Sequence, residues 1–318
     1  MKTLVACVLA LFSAVAGAQG YPAKPVKIIV PANPGGGLDL IGRTVADQLG
    51  RALGQTFIVE NSAGGGGSIA SMATARAAPD GYTLMVGYVG THATNPAVRK
   101  LNSDAIADFT PIAMVGGTPN LLVVHPSVPA SDLKGFVEYA KQNPNKLNWG
   151  TGGIGLLNHL ALEQFRAAAG LEGAVYAHYR GIGPALADII GGQINVLMPG
   201  LAAALPHIRS GKIRPLAVTG LKRHPLQPDL PTFEELGYKG FDTLQWYGIV
   251  GPAKLPPEIT TRLNAEINKA LAQPSLRERL SAEAIDPMPM SPEQFGKYMQ
   301  DEIARYRKLA QERHISLD

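Results

Sequence analysis

Three glycine-rich segments hold the residue types best suited to chemistry in this chain. They are residues 34–37 of KIIVPANPGGGLDLIGR, residues 64–67 of FIVENSAGGGGSIAS, and residues 149–155, WGTGGIG. Each joins an apolar run to a helix-like pattern. A strand-to-helix turn without side chains leaves backbone N–H groups open, and the positive end of the helix dipole points the same way. Such a turn holds an anion with backbone instead of charged side chains. The candidate contacts are Asn33, Pro34 and Gly36 in the first segment. In the third they are Thr151, Gly152 and Gly153, with Asn158 and His159 in the first turn of the following helix.

Other polar residues fall where strands end, which is the ligand edge of an α/β sheet. Tyr88, Thr91, His92 and Asn95 follow the third apolar run, and Arg180 occupies the matching position later in the chain. Turn formation, capping and packing are the alternative roles for each of them. Asp39 and Arg43, four apart at a helix start, suit the helix dipole and an i,i+4 contact. Gly65-x-Gly67-x-x-Ala70 imitates a dinucleotide fingerprint, but the acid required at the end of the next strand is missing. No Gly-Lys-Ser/Thr completes a phosphate loop. His159 and Glu163 lack a third ligand at metal-site spacing. Gly-x-Ser-x-Gly and His-Glu-x-x-His are also missing. No catalytic residue, metal or cofactor is therefore assigned.

These candidates need strands and helices to place them. Apolar runs at 27–30, 57–60 and 83–87 read as strands, and 38–53 and 68–77 as the helices between them. That βαβαβ order predicts a parallel sheet covered by helices. Strands at 112–115 and 121–125 follow, and then the pattern restarts. Helices are expected at 131–142, with Ser131 as cap and Pro144 forbidding continuation, and at 155–169, 183–190 and 201–210. The strands between them are 147–150, 175–177, 194–198 and 213–218. A last strand at 246–250 leads into helices at 257–272, 275–282 and 292–311. This tail has too few strands to stand alone, so it is expected to pack back onto the first sheet. The expected architecture is α/β with two lobes, the second inserted into the first and a cleft between them. Lobe 1 takes residues 19–118 and 246–318, and lobe 2 takes 119–245.

The first 18 residues read as a secretory signal peptide. Lys2 gives the positive start, an apolar stretch follows, and Ala16-Gly17-Ala18 fits cleavage after Ala18. The single cysteine, Cys7, lies inside it, so the mature chain carries no disulfide or thiolate. Export without disulfides suits a bacterial periplasm. The net charge of +4 is small for 318 residues, and no dense Lys/Arg run argues for nucleic acid. No later apolar segment reaches membrane-spanning length, so a soluble monomer is expected.

The ordered stretches IIVPANPGGGLD (28–39), AAPDGYTL (77–84), DFTPIAMV (108–115), NHLALEQF (158–165), HYRGIGPALADIIGGQ (178–193), LPHIRSGKIRPLAVT (205–219) and PDLPTFEELG (228–237) carry a family resemblance along the whole mature chain. It resembles the periplasmic solute receptors of tripartite tricarboxylate transporters, the Bug receptors of Bordetella and its relatives. The resemblance implies a type II periplasmic-binding-protein fold that closes on its ligand. It also implies no catalysis, and delivery of a small carboxylate to the transporter's transmembrane subunits. Carried over, it favours Asn33, Gly36, Thr91, His92, Thr151, Gly152 and His159 as ligand contacts. Leu38, Ser62-Ala63, Asn195 and Pro199-Gly200 depart from the family pattern. Gly200 stands in a loop where relatives often carry an acid or Asn. Fewer acids there turn the expectation toward a purely anionic ligand. An aromatic dicarboxylate such as terephthalate, or an aliphatic di- or tricarboxylate, would fit. The alternative reading is a periplasmic enzyme acting on a carboxylated small molecule in the same cleft.

Overall fold

The computed structural model describes residues 20–171 and 173–317, so the expected signal peptide lies outside the described residues. β1 (Val26–Val30), α1 (Gly37–Leu53), β2 (Phe57–Asn61), α2 (Ser68–Ala75) and β3 (Thr83–Tyr88) form the expected βαβαβ unit. β1 pairs in parallel with both β2 and β3. A short helix α3 (Asn95–Val98) leads to β4 (Phe109–Pro119), and after Asn120 the chain enters β5 (Leu121–Val124) of a second sheet. There follow α4 (Leu133–Gln142), β6 (Asn148–Thr151), α5 (Leu157–Ala169), β7 (Val175–His178), α6 (Ile182–Ile190), β8 (Val196–Leu197), α7 (Leu201–Arg209) and β9 (Arg214–Val218). The chain returns in β10 (Leu244–Pro252) and finishes with α8 (Pro257–Leu271), α9 (Pro274–Ala282), β11 (Asp286–Pro287) and α10 (Pro292–Glu312).

The first sheet has strand order β11-β4-β10-β3-β1-β2, and the second β7-β6-β8-β5-β9. The second sheet is thus inserted into the first. Neither sheet is purely parallel. β10 runs antiparallel to β3 and β4, and β5 runs antiparallel to β8 and β9. The reason is topological: a strand that leaves or re-enters a sheet directly, without a crossover helix, arrives in the opposite direction. The cap of α4 is Asp132 rather than Ser131, with its carboxylate accepting the Gly135 N–H at 2.8 Å. β4 is also longer than its apolar run, because it continues through Gly116 and Gly117 to the crossover.

The first sheet is buried on both faces, which is why its strands read as continuous apolar runs. Ile28, Val30, Leu84 and Val86 pack under α1 and α8. Ile29, Met85 and Trp246 pack on the other face, against Met299, Ile303 and Tyr306 of α10. Leu157 and Leu160 of α5 belong to this second cluster, so a helix of the inserted lobe docks on the first lobe. Among the described residues, no helix is long and apolar enough to cross a membrane.

Register shows which loops face each other. Tyr88, at the end of β3, lies opposite Tyr247 near the start of β10, so β1 and β3 end at the crossover edge. Leu121 opens β5 at the same edge. β8 runs antiparallel to β5, and β6 is parallel to β7 and β8, so Thr151, His178 and Leu197 end there too. The loops after β1, β3, β6, β7 and β8 therefore gather where the two lobes meet.

Candidate functional site

The loop after β1 is exposed from Asn33 through Gly37. Its shape is set from below by Asp39, which is only 5% exposed. The Asp39 carboxylate accepts from the Gly35 N–H at 3.0 Å, from Arg43 Nε at 2.9 Å and from Asn61 Nδ2 at 3.0 Å. Asn61 also donates to the Ala32 carbonyl. The Arg43 hydrogen bond, opposed by burial and aided by Gly35 and Asn61, holds the Asp39 carboxyl down at about 2. Asp39 is thus a brace, and it uses the Gly35 N–H. The opening turn of α1 remains available. Gly36 is its N-cap with no side-chain cap, and the first helical N–H groups, those of Gly37 and Leu38, have no acceptor within the helix. The Tyr247 hydroxyl stands beside this turn: a Cβ placed on Gly37 would lie 3.1 Å from it.

The second glycine cluster plays a different part. Gly64 to Gly67 all adopt positive φ, a run that side-chain-bearing residues resist. The Gly66 carbonyl accepts from Asn95 Nδ2 at 2.7 Å and from the Tyr88 hydroxyl at 3.3 Å. Thr91 is 4% exposed, and its hydroxyl bonds back to Tyr88 N and O. His92 is fully buried: Nδ1 meets the Thr91 hydroxyl at 2.8 Å and the ring stands edge-on to Phe109 at 4.7 Å. Desolvation pushes its pKa down to about 3, so it is neutral. The chain coils tightly through Gly90–Thr94 and seats the buried His92 ring against Phe109 and Gly87. Of this group, half-buried Tyr88 retains the most surface.

In the second lobe the amides expected to face a ligand are already engaged. The Gly152 N–H donates to Asn158 Oδ1 at 3.1 Å, and the Gly153 N–H to the Thr151 hydroxyl at 3.2 Å. The Gly155 N–H donates to His159 Nδ1 at 3.1 Å. Thr151, Asn158 and His159 therefore shape the loop from within. Burial lowers the His159 pKa to about 4. The Gly181 N–H ties the next loop to the Gly152 carbonyl at 2.8 Å. The open donors lie one element further on. α6 begins after Gly181 with no side-chain cap, and its second residue, Gly183, is exposed with empty space where a Cβ would be. α7 likewise starts at an uncapped glycine, Gly200, which bridges to Asn120 at the crossover. Arg180 is exposed at the rim.

Two further residues sit at the same edge, the second of them missed by the sequence reading. Tyr247 walls the α1 turn, and His178 ends β7 with its ring against His159. A histidine closing a strand, three residues before the glycine cap of a helix, was the available signal for the second. Groups of three or more metal-ligating side chains do not occur among the described residues. A groove of about 620 Å³ lined by Arg99, Asp104 and Arg307 lies on the outer flank of the first lobe, and none of the loop candidates line it. The arrangement at the crossover can hold anions on uncapped helix N-termini from two lobes.

Comparison with known proteins agrees with that chemistry. Residues 41–315 match the family described as the tripartite tricarboxylate transporter family receptor. BugT of Bordetella pertussis (strain Tohama I) is 33% identical over 322 residues, covering 98% of this chain and 97% of BugT. Among solved structures, R. palustris Rpa4515 with adipate superposes with a TM-score of 0.83 at 35% identity, covering 93% of this chain and 99% of that one. MatC (Rpa3494) from Rhodopseudomonas palustris with bound malate gives 0.78 at 32% identity, over 91% of this chain and 99% of that one.

Proposed function

The chain belongs to the tripartite tricarboxylate transporter receptor family, and from that premise we propose that it captures a small dicarboxylate between its lobes and delivers it to the transporter's membrane subunits. The observation that carries this reading is the opening turn of α1. It is exposed, uncapped and braced by a buried carboxylate that keeps its own charge occupied. An incoming carboxylate there accepts charge-assisted hydrogen bonds of about 1.5–3 kcal/mol each. The α6 turn supplies a similar surface for a second carboxylate. Few acids at the second-lobe edge favour a ligand without an amino group. The candidates are an aliphatic acid such as adipate or malate, which two solved relatives hold, or an aromatic diacid such as terephthalate.

The protein acts in the periplasm, released from its leader after Ala18, and binds without turnover. A thermal-shift screen with adipate, malate, citrate and terephthalate tests the reading. At a hundredfold excess over Kd, a ligand adds about 2.7 kcal/mol of apparent stability, a shift of several degrees. At least one acid is expected to raise Tm and to be recovered unchanged by chromatography. Failure of all four at millimolar concentration refutes the carboxylate reading, and chemical conversion of a bound acid supports the enzyme instead.

A further inference from the structure

His178 is exposed at the last residue of β7, on the crossover edge. Three neighbours hold its ring. The ring stacks on Tyr176 at 5.6 Å and meets the His159 ring edge-on at 5.1 Å. Nδ1 lies 2.8 Å from the Thr151 hydroxyl. Thr151 is fully buried, and its oxygen already accepts from the Gly153 N–H. His178 Nδ1 is the acceptor among the partners of that hydroxyl, and with the hydroxyl proton on that bond the imidazole proton sits on Nε2. The outer nitrogen of a locked ring is thus a hydrogen-bond donor. The loop that locks it also approaches the first lobe: a Cβ on Gly155 would come within 2.6 Å of Val98. His178 accordingly stands at the mouth between the lobes, beside the first turns of α5 and α6.

We propose that His178 is a ligand contact of the second lobe, donating its Nε2–H to the carboxylate distal to the α1 turn. This rests on the carboxylate-receptor reading above. The groups around the ring are His159, Glu163 and Arg166 on α5, Tyr176 on its own strand, Thr151 on β6, Arg180 beyond it, and Arg313, the C-cap of α10, paired with Glu163. Partial desolvation lowers the His178 pKa, partly offset by Glu163. A bound carboxylate raises that pKa. Binding then takes up a proton on Nδ1 as pH falls, the Thr151 hydroxyl turning from donor to acceptor, and affinity rises from neutral into mildly acidic pH.

The experiment is isothermal titration of the full mature protein with adipate, malate and terephthalate across that pH range, comparing wild type with His178→Phe and His178→Gln. Phe keeps a ring to stack but removes the donor, and is expected to weaken binding about tenfold or more. Gln offers an N–H donor without titrating, and is expected to keep neutral-pH affinity while losing the gain at low pH. Equal affinity and pH dependence in all three proteins overturns the role of His178 and leaves the carboxylate reading standing. If none of these acids binds the wild type, the underlying reading falls and this proposal with it.

Discussion

Gly36 carries the sharpest single-residue consequence. Its φ of −96° is open to any residue, and a Cβ there would meet nothing within 4 Å. Glycine is therefore not required by the backbone at this position. A side chain that capped the helix would occupy the donors an anion needs. Gly36→Asp is expected to leave stability unchanged or raise it by a few tenths of a kcal/mol, as an Asp N-cap does. The same change is expected to weaken carboxylate binding at least tenfold, because the new carboxylate takes the N–H groups and repels a second one. Thermal unfolding and calorimetric titration on the same sample check both halves. Undiminished affinity would remove the α1 turn from the site. The glycine signature of this turn was legible in the sequence because missing side chains are visible there. The brace beneath it was not: Asp39 and Asn61 are 22 residues apart, and only folding brings them together. His92 was misleading for a related reason. Its type and strand-end position suit a ligand contact, whereas the tight coil at Gly90–Thr94 turns it inward.

At the scale of elements, the contact between α5 and α10 decides how the lobes are tied. Glu163 of α5 accepts from Arg166 at 2.6 Å on its own helix and from Arg313, the C-cap of α10, at 2.8 Å. Arg166 is 7% exposed, so Glu163→Ala would strand a buried guanidinium. That substitution is expected to cost about 3–5 kcal/mol in denaturant unfolding. Arg313→Ala is expected to cost about 1 kcal/mol or less, since Glu163 keeps its other partner and the Arg313 side chain is 23% exposed. Equal losses would mean that the interlobe arm, not the buried pair, carries the energy. Strand and helix positions followed from apolar runs and proline stops because the sheets are covered on both faces. Strand direction did not follow. Whether β10 runs with or against β3 depends on where the chain comes from, which no local pattern encodes.

The whole molecule has two crossovers, at Asn120 and in the chain between β9 and β10, and a third tie where α10 meets the inserted lobe. At the second crossover Trp246 Nε1 donates to Glu302, Glu302 pairs with Arg305 at 2.7 Å, and Arg305 reaches Asp242; the third tie is Arg313, at the end of α10, with Glu163 of α5. Three ties on one side define a pivot, so closure is expected as a rotation that narrows the open side while leaving α5 docked on α10. Small-angle scattering should give a smaller radius of gyration with saturating ligand than without. Superimposable curves would refute a closing receptor. Exchange of the buried amides along α5 should be unaffected by ligand, since that helix does not leave its seat.

The position of β10 reaches beyond the folded state. This strand fills the gap between β3 and β4 in the first sheet, yet it is made only after the whole inserted sheet has been synthesised. Until β10 arrives, β1 to β4 are left with that gap open. The second sheet, whose strands β5 to β9 are contiguous, has no such delay. Sheet closure by a partner more than a hundred residues downstream is a high-contact-order step, and such steps are slow and leave strand edges uncovered meanwhile. Assembly is therefore expected inside-out, with the late-starting lobe complete first and the early one left with an open strand edge in the meantime.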